Sequence, residues 1–217
     1  MKNYEYIAFD LDGTLMNTYE GVSKAITYTM DKMGKPKPTE QQIRPCIGPP
    51  LDDSYKKIFG FTHEEAIEGV AKFREYYRDK GQFECHPYSG ITDTLAALND
   101  AGYKLFVATS KLITPALEIV RHFGLDKYFC HVEGTPPGYG DCSKADVLRN
   151  AFSSLGITDK SKVILVGDTK FDVIGAKEAG IECMGVLYGF GSEQEFKENG
   201  ADYIVETTAD IADFFLK

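Results

Sequence analysis

Three aspartates, a threonine and a lysine are the residues of this sequence that could do chemistry together. Asp10 and Asp12 come directly after a short apolar run near the start of the chain. Thr109 and Asp168 each follow another apolar run, and Lys144 opens a segment with helical periodicity. If the apolar runs are parallel strands of one sheet, the polar side chains behind them meet at the carboxyl edge of that sheet.

The residue types indicate which chemistry such an edge could support. Carboxylates that share a small volume repel one another unless a cation lies among them. Oxygen ligands from a few carboxylates, water and phosphate are those that Mg²⁺ prefers. A metal ion, an ammonium group and a hydroxyl around one point suit the charged oxygens of a phosphoryl group. Because no serine or cysteine stands in a recognisable nucleophile motif, a carboxylate is the remaining candidate nucleophile.

The elements that must position these residues alternate along the chain. After Gly90, helical patterns and apolar runs follow one another with short turns, which predicts an α/β fold with a parallel sheet covered on both faces. The glycine-rich run 134–140 predicts a loop. The predicted strands are 4–9, 104–108, 128–132, 163–166, 182–187 and 202–205, and the predicted helices of this part are 91–101, 114–123, 144–155, 171–179 and 209–216.

The block that follows the first strand carries helical patterns alone. Apolar residues recur at helical spacing within 22–33, 51–59 and 66–77. We therefore expect a small all-helical domain at 15–82, inserted into an α/β core formed by 1–14 and 83–217.

Composition limits the classes of partner. The chain has 217 residues and a formal net charge of −9, which argues against binding to nucleic acid polymers or anionic membranes. No apolar run approaches the roughly 18 residues that span a bilayer. Five dispersed cysteines favour reduced thiols over disulfides, and hence a cytoplasmic location.

Four motifs, taken in order, resemble the signatures of the haloacid dehalogenase-like (HAD) hydrolase superfamily. The pentapeptide Asp10-Leu11-Asp12-Gly13-Thr14 resembles the first signature, and Thr109 at the end of an apolar strand fits the second. Lys144 fits the third, although Ala145 replaces the usual proline, and 167–172 fits the fourth. The resemblance covers essentially the whole chain. It implies a Rossmann-like core and makes the inserted helical block a cap of type 1.

The resemblance also implies roles for the acidic residues. Asp10 is the nucleophile and a metal ligand. Asp12 is the general acid for the leaving oxygen and then the base for the hydrolytic water, and its main-chain carbonyl binds the metal. Asp168 is a metal ligand through its side chain. Asp172 is expected to orient a metal-bound water or the signature lysine.

The phosphoryl oxygens have a second set of expected partners. Thr109 and Lys144 are expected to bind the phosphoryl group, assisted by the main-chain amides of Ser110 and Gly13. Lys111 competes with Lys144 for the role of the signature lysine. The distance along the chain to the fourth signature favours Lys144.

Within the superfamily, the chain resembles the phosphoglycolate phosphatase-like branch, which includes bacterial 5′-nucleotidase-like members. Segments 47–51, 108–111 and 188–192 carry this resemblance. It implies a Mg²⁺-dependent phosphatase of small phosphorylated metabolites, with a phospho-aspartate on Asp10 and a cap that reads the leaving group. The substrate class stays open among nucleoside monophosphates, phosphoglycolate and sugar phosphates.

Two other functions stay open at this stage. The first is a β-phosphoglucomutase-like sugar phosphomutase, in which the phospho-aspartate passes its phosphoryl group to a second substrate hydroxyl. The second is a catalytically idle metabolite-binding protein. The presence of both Asp10 and Asp12 argues against the idle protein, because a binding module need not keep a nucleophile and an acid/base.

Overall fold

The chain folds into two compact units. The protein's structure is a computed structural model that describes residues 3–137 and 142–217. The first unit contains Met1–Met16 and Pro87–Lys217, and the second contains Asn17–His86. The second unit therefore begins two residues later and ends four residues later than the inserted domain expected at 15–82.

Strands and helices alternate through the first unit. Over the described residues the strands are β1 (Tyr6–Phe9), β2 (Met16–Asn17), β3 (His86–Pro87), β4 (Lys104–Leu112), β5 (His131–Thr135), β6 (Val163–Gly167), β7 (Glu182–Val186) and β8 (Tyr203–Val205). The α-helices are α1 (Tyr19–Lys32), α2 (Glu40–Ile43), α3 (Leu51–Phe59), α4 (His63–Asp79), α5 (Ile91–Asp100), α6 (Ile113–His122), α7 (Lys144–Leu155), α8 (Lys170–Ala179), α9 (Glu193–Asn199) and α10 (Thr208–Leu216).

Six strands form one parallel sheet in the order β5-β4-β1-β6-β7-β8. The central strand β1 pairs with β4 on one side and β6 on the other, so Phe9 lies opposite Val107 and Val166. All three of these side chains are fully buried, as a sheet covered on both faces requires. The carboxyl ends of β1, β4 and β6 therefore lie side by side, and the residues that follow them share one edge.

The second unit consists mainly of helices α1 to α4. Thr62 and Glu65 form a capping box that starts α4. Tyr55 of α3 is fully buried and its hydroxyl donates to Thr29 Oγ1 of α1 at 3.2 Å. Two residues of this unit, Asn17 and His86, belong to the short strands β2 and β3, which pair with each other.

The predicted fold class is confirmed, while some local predictions are wrong and one helix was not predicted. The strand expected at 128–132 begins instead at His131, because a 3₁₀ turn occupies Asp126–Tyr128. Residues 134 and 135 belong to β5 rather than to the predicted loop, and 138–140 lie outside the described residues. Helix α9 has no predicted counterpart. Among the described helices, none is both long and apolar enough to cross a membrane.

Candidate active site

Asp10 lies at the centre of the carboxyl edge. It follows β1 directly, and its main-chain amide donates to Val166 O of β6 at 2.9 Å. The chain then turns back sharply, and Gly13 donates to Met16 O at 2.8 Å with a φ of +84°. A side chain at Gly13 would collide with Asp168, since its Cβ would lie 1.9 Å from Asp168 Oδ2. This turn therefore needs glycine both for its backbone conformation and for the close approach.

Lys144 reaches the same edge from the first turn of α7. Ser143 caps this helix by accepting a hydrogen bond from Asp146 N. The Lys144 side chain is almost fully buried, and its Nζ lies 2.8 Å from Asp10 Oδ1 and 2.9 Å from Asp172 Oδ1. Nζ also donates to Ala108 O at 3.0 Å, next to Thr109 within β4. One buried ammonium group thus links the residue after β1, the first turn of α8 and the main chain of β4.

Asp168 and Asp172 come from the turn after β6 and from the start of α8. Asp168 is fully buried, and its Oδ2 accepts a hydrogen bond from Phe190 N at 2.8 Å. Asp172 Oδ2 accepts from the main-chain amide and the hydroxyl of Thr169, at 3.0 and 3.1 Å. This capping box leaves Asp172 Oδ1 to face Lys144.

Three carboxylates form a cluster that fits a divalent cation. Asp10, Asp168 and Asp172 each offer an oxygen, and these oxygens lie within 4.8 Å of one another. Asp10 Oδ1 and Asp172 Oδ1 are buried and share the single Lys144 ammonium as their partner, at 2.8 and 2.9 Å. Three carboxylates beside one ammonium group leave an excess of two negative charges, which a hard divalent cation with oxygen ligands would balance.

Burial and mutual repulsion control protonation in this cluster. Burial raises the pKa of Asp10 to about 6, an effect opposed by the Lys144 ammonium and reinforced by Asp172. Burial also holds the pKa of Asp168 well above its ordinary range, and the charges of Asp172 and Asp10 add to this shift. Burial alone would lower the pKa of Lys144, but Asp10 and Asp172 outweigh that effect and raise it. Lys144 is therefore a permanent cation among carboxylates that favour an added positive charge.

The carboxylate of Asp12 is paired with a different lysine. Lys111 Nζ lies 2.8 Å from Asp12 Oδ2 and 3.0 Å from Asp12 Oδ1. Thr109 is fully buried, and its hydroxyl oxygen accepts from Lys111 N at 3.2 Å, whereas Ser110 is exposed. The two lysines that competed for one role in the sequence thus have separate carboxylate partners.

A segment after β7 completes the surroundings of Asp168. Tyr188 donates its hydroxyl proton to Thr14 O at 2.9 Å, and Thr14 donates to Asp168 Oδ1 at 3.4 Å. A Cβ at Gly189 would lie 2.3 Å from Asp168 Cβ, so this segment passes against Asp168 without room for a side chain. Sequence reasoning noted 188–192 for its resemblance but gave it no role. The signal that pointed to a close approach was its two glycines, since glycine is common where backbones pack tightly.

Comparisons with known proteins show which proteins this chain is similar to. A sequence model of a family described as haloacid dehalogenase-like hydrolase matches residues 7–186. A 5′-nucleotidase of Pseudomonas aeruginosa is 36% identical over 194 residues, which cover 89% of this chain and 87% of that protein. A phosphoglycolate phosphatase of Vibrio parahaemolyticus is 26% identical over 218 residues, covering 97% of this chain and 95% of that protein. Among solved structures, a haloacid dehalogenase-like family hydrolase from Streptococcus pneumoniae has a TM-score of 0.93 and 32% identity, covering 99% of this chain and all of that one.

Proposed function

The chain belongs to the haloacid dehalogenase-like hydrolases, and we propose that it hydrolyses small phosphate monoesters through a phosphorylated Asp10. Membership confirms the family that the four sequence signatures predicted. One observation carries the proposal. The buried Lys144 ammonium lies 2.8 Å from Asp10 Oδ1, in a cluster where Asp168 and Asp172 add two further carboxylates. This arrangement combines a nucleophile, a fixed cation and ligands for a metal ion around one point.

The proposed reaction has two steps. In the first, a carboxylate oxygen of Asp10 attacks phosphorus, the ester bond breaks, and Asp12 gives its proton to the departing oxygen. In the second, Asp12 removes a proton from a water molecule, which attacks the phosphorus and releases inorganic phosphate from Asp10. Lys144 stabilises the charge on Asp10 and on the phosphoryl oxygens in both steps. Thr109 and the amides of Ser110 and Gly13 donate hydrogen bonds to those oxygens.

A metal ion has a defined place in this proposal. Asp10 and Asp168 would hold Mg²⁺ through their side chains and Asp12 through its main-chain oxygen, while Asp172 orients Lys144. When bound, Mg²⁺ supplies positive charge that reduces the repulsion between Asp10 and the phosphoryl oxygens. The negative charge of three clustered carboxylates, which Lys144 balances only in part, supports this assignment.

Nucleoside 5′-monophosphates are the first candidate substrates. The relative named 5′-nucleotidase supports this class, since it is 36% identical over most of both chains. Phosphoglycolate is the second candidate, supported by the relative of that name. A screen of nucleoside monophosphates, phosphoglycolate, sugar phosphates and pyrophosphate with Mg²⁺ tests the order. A kcat/KM for pyrophosphate or a sugar phosphate above that of every nucleotide would contradict it.

The same proposal assigns recognition of the leaving group to the helical domain. The residues proposed to handle the phosphoryl group all lie in the first unit, so the leaving group falls to the helical block expected at 15–82. Alanine variants across α3 and α4 are expected to change the ratio of kcat/KM between a nucleoside monophosphate and phosphoglycolate. A ratio that stays constant in every variant would contradict this assignment.

The chemical mechanism is tested by trapping the phospho-enzyme. We expect mass spectrometry of acid-quenched reactions to find one added phosphoryl group on the peptide that contains Asp10. Asp10→Asn should abolish both the label and turnover, whereas the exposed-site control Asp213→Asn should change neither. Label on a serine, threonine or histidine would refute the mechanism. Transfer of the label to a second hydroxyl of a sugar phosphate, in place of water, would identify a phosphomutase.

A further inference from the structure

Lys111, in an irregular part of β4, forms an ion pair with Asp12, the proposed acid/base residue. Its Nζ contacts both carboxylate oxygens of Asp12, at 2.8 and 3.0 Å. The Lys111 side chain is 10% exposed and that of Asp12 is 17% exposed, so the pair is largely removed from solvent. Contacts to both oxygens keep the carboxylate of Asp12 directed at Lys111 Nζ, and such charge-assisted hydrogen bonds are stronger than neutral ones.

A β-bulge places Lys111 at this position. Ala108 of β4 pairs with Glu133 of β5, but the next paired residue of β4 is Leu112, which lies opposite Thr135. Four steps along β4 therefore match two steps along β5, which leaves two additional residues in β4. Bulges bend a strand and redirect its side chains, and they are frequent beside active sites.

The neighbouring strand is built to accommodate the bulge. Thr135 donates its hydroxyl proton to Ser110 O at 2.9 Å, inside the irregular segment. A Cβ at Gly134 would lie 2.8 Å from Lys111 O and 2.9 Å from Ile113 Cα, so glycine alone fits against the bulged backbone. Thr109 adds a third contact, since its Oγ1 accepts from Lys111 N. These contacts fix the backbone of Lys111 in the position from which its side chain reaches Asp12.

We propose that Lys111 is a positioning residue that orients the carboxylate of Asp12 toward the oxygen it protonates. The inference rests on the proposed function, because it assigns Lys111 to the acid/base step of that reaction. The separation of the two lysines supports it. Lys144 contacts Asp10 and Asp172, which accounts for the cation beside the nucleophile, while Lys111 contacts the acid/base residue.

Two aryl phosphates that differ in leaving group test the proposal. Phenyl phosphate releases a phenol with a pKa of about 10, like that of tyrosine, whereas p-nitrophenyl phosphate releases a far weaker base that needs little protonation. We expect Lys111→Met to lower kcat/KM for phenyl phosphate by about 10- to 100-fold, the effect of a misplaced catalytic group. The kcat/KM for p-nitrophenyl phosphate should stay within about threefold, because its departure depends little on general acid catalysis.

Phosphate affinity separates this role from direct substrate binding. If Lys111 acts through Asp12, the inhibition constant of inorganic phosphate should be unchanged in Lys111→Met. Equal losses with both esters, together with weaker inhibition by phosphate, would show that Lys111 binds the phosphoryl group and would overturn the proposal. A kcat/KM for phenyl phosphate equal to that of the wild type would overturn it as well. If Asp12→Asn itself showed no dependence on the leaving group, the proposed function would fail first.

Controls exclude a trivial loss of structure. Lys111→Gln keeps a side-chain NH₂ group that can donate to Asp12, and it should lose less activity with phenyl phosphate than Lys111→Met does. Lys162 forms an ion pair with Glu5 at 3.4 Å, before the start of β6 and at the opposite edge of the sheet. Lys162→Met therefore removes a paired lysine from the same unit and should leave the ratio between the two esters unchanged. Thermal unfolding midpoints report whether each variant is folded.

Discussion

Replacing Lys144 by methionine should destabilise the protein far more than the loss of an ordinary ion pair. The Lys144 side chain is 5% exposed, and its partners Asp10 and Asp172 are 13% and 1% exposed. The substitution leaves two carboxylates in the interior without their cation and removes the donor to Ala108 O. Removing one partner of a buried ion pair costs about 3–5 kcal/mol, because the remaining charge stays desolvated.

The assay is urea unfolding in EDTA, so that no added metal replaces the missing charge. The chain has no tryptophan, so far-ultraviolet circular dichroism and tyrosine fluorescence are the two probes, and their transitions should coincide. The control is Lys217→Met, which removes a solvent-exposed ion pair with Asp213. Exposed pairs contribute about 0.2–1 kcal/mol, so the control should differ little from the wild type.

A second substitution tests whether the uncompensated charge of Asp10 and Asp172 causes the loss of stability. Asp172→Asn removes one of the two carboxylates that Lys144 neutralises, so the double variant Lys144→Met/Asp172→Asn should recover part of the lost free energy of unfolding. Added Mg²⁺ should also narrow the deficit of Lys144→Met, since it supplies the missing positive charge. A loss below about 1 kcal/mol, like that of a surface pair, would show that Lys144 does not compensate buried charge.

Three further predictions concern the catalytic groups. Activity should disappear in EDTA and return with Mg²⁺, and full turnover after rigorous chelation would exclude a metal requirement. Asp168→Asn should weaken both turnover and the Mg²⁺ binding measured by calorimetry. Asp12→Asn should lower kcat/KM by about 10²–10⁴-fold for esters with poor leaving groups, and an equal loss with p-nitrophenyl phosphate in steady-state assays would contradict its role as acid. Gly189→Ala places a Cβ 2.3 Å from Asp168 Cβ and 2.5 Å from Gly13 O, so the Mg²⁺ affinity measured by calorimetry should fall. The control is Gly156→Ala, whose Cβ would meet nothing within 4 Å and which should leave the Mg²⁺ affinity unchanged.

Helix α9 shows why some elements could not be found from sequence periodicity. Its seven residues include one buried apolar side chain, Phe196, so no amphipathic pattern repeats. Local end signals were nevertheless present. Ser192 accepts a hydrogen bond from Glu195 N at the start, and Gly200 has a left-handed conformation at the end. A search for caps, rather than for periodicity, would have found this helix.

The end of β4 shows a different limit. The apolar run ends at Ala108, so the sequence predicts a strand that stops there, yet the strand continues to Leu112 through the bulge. The bulge depends on Gly134 and Thr135 of β5, which lie more than twenty residues later in the chain. Local pattern alone carries no record of that pairing. The sequence therefore offered Lys111 only as a competitor of Lys144 for one role, in which chain distance favoured Lys144.

The sequence by itself determined the class of elements and the edge where chemistry could occur. Strands buried on both faces must be apolar, and this requirement marked the apolar runs of β1, β4 and β6 and placed Asp10, Thr109 and Asp168 directly after those runs. Tertiary structure alone decided the carboxylate partner of Lys111. Lys144 faces Asp10, while Lys111 faces Asp12 across 99 residues of chain. Side-chain direction depends on the bulge, on helix caps and on the backbones that pack against them, and these are fixed only when distant segments assemble.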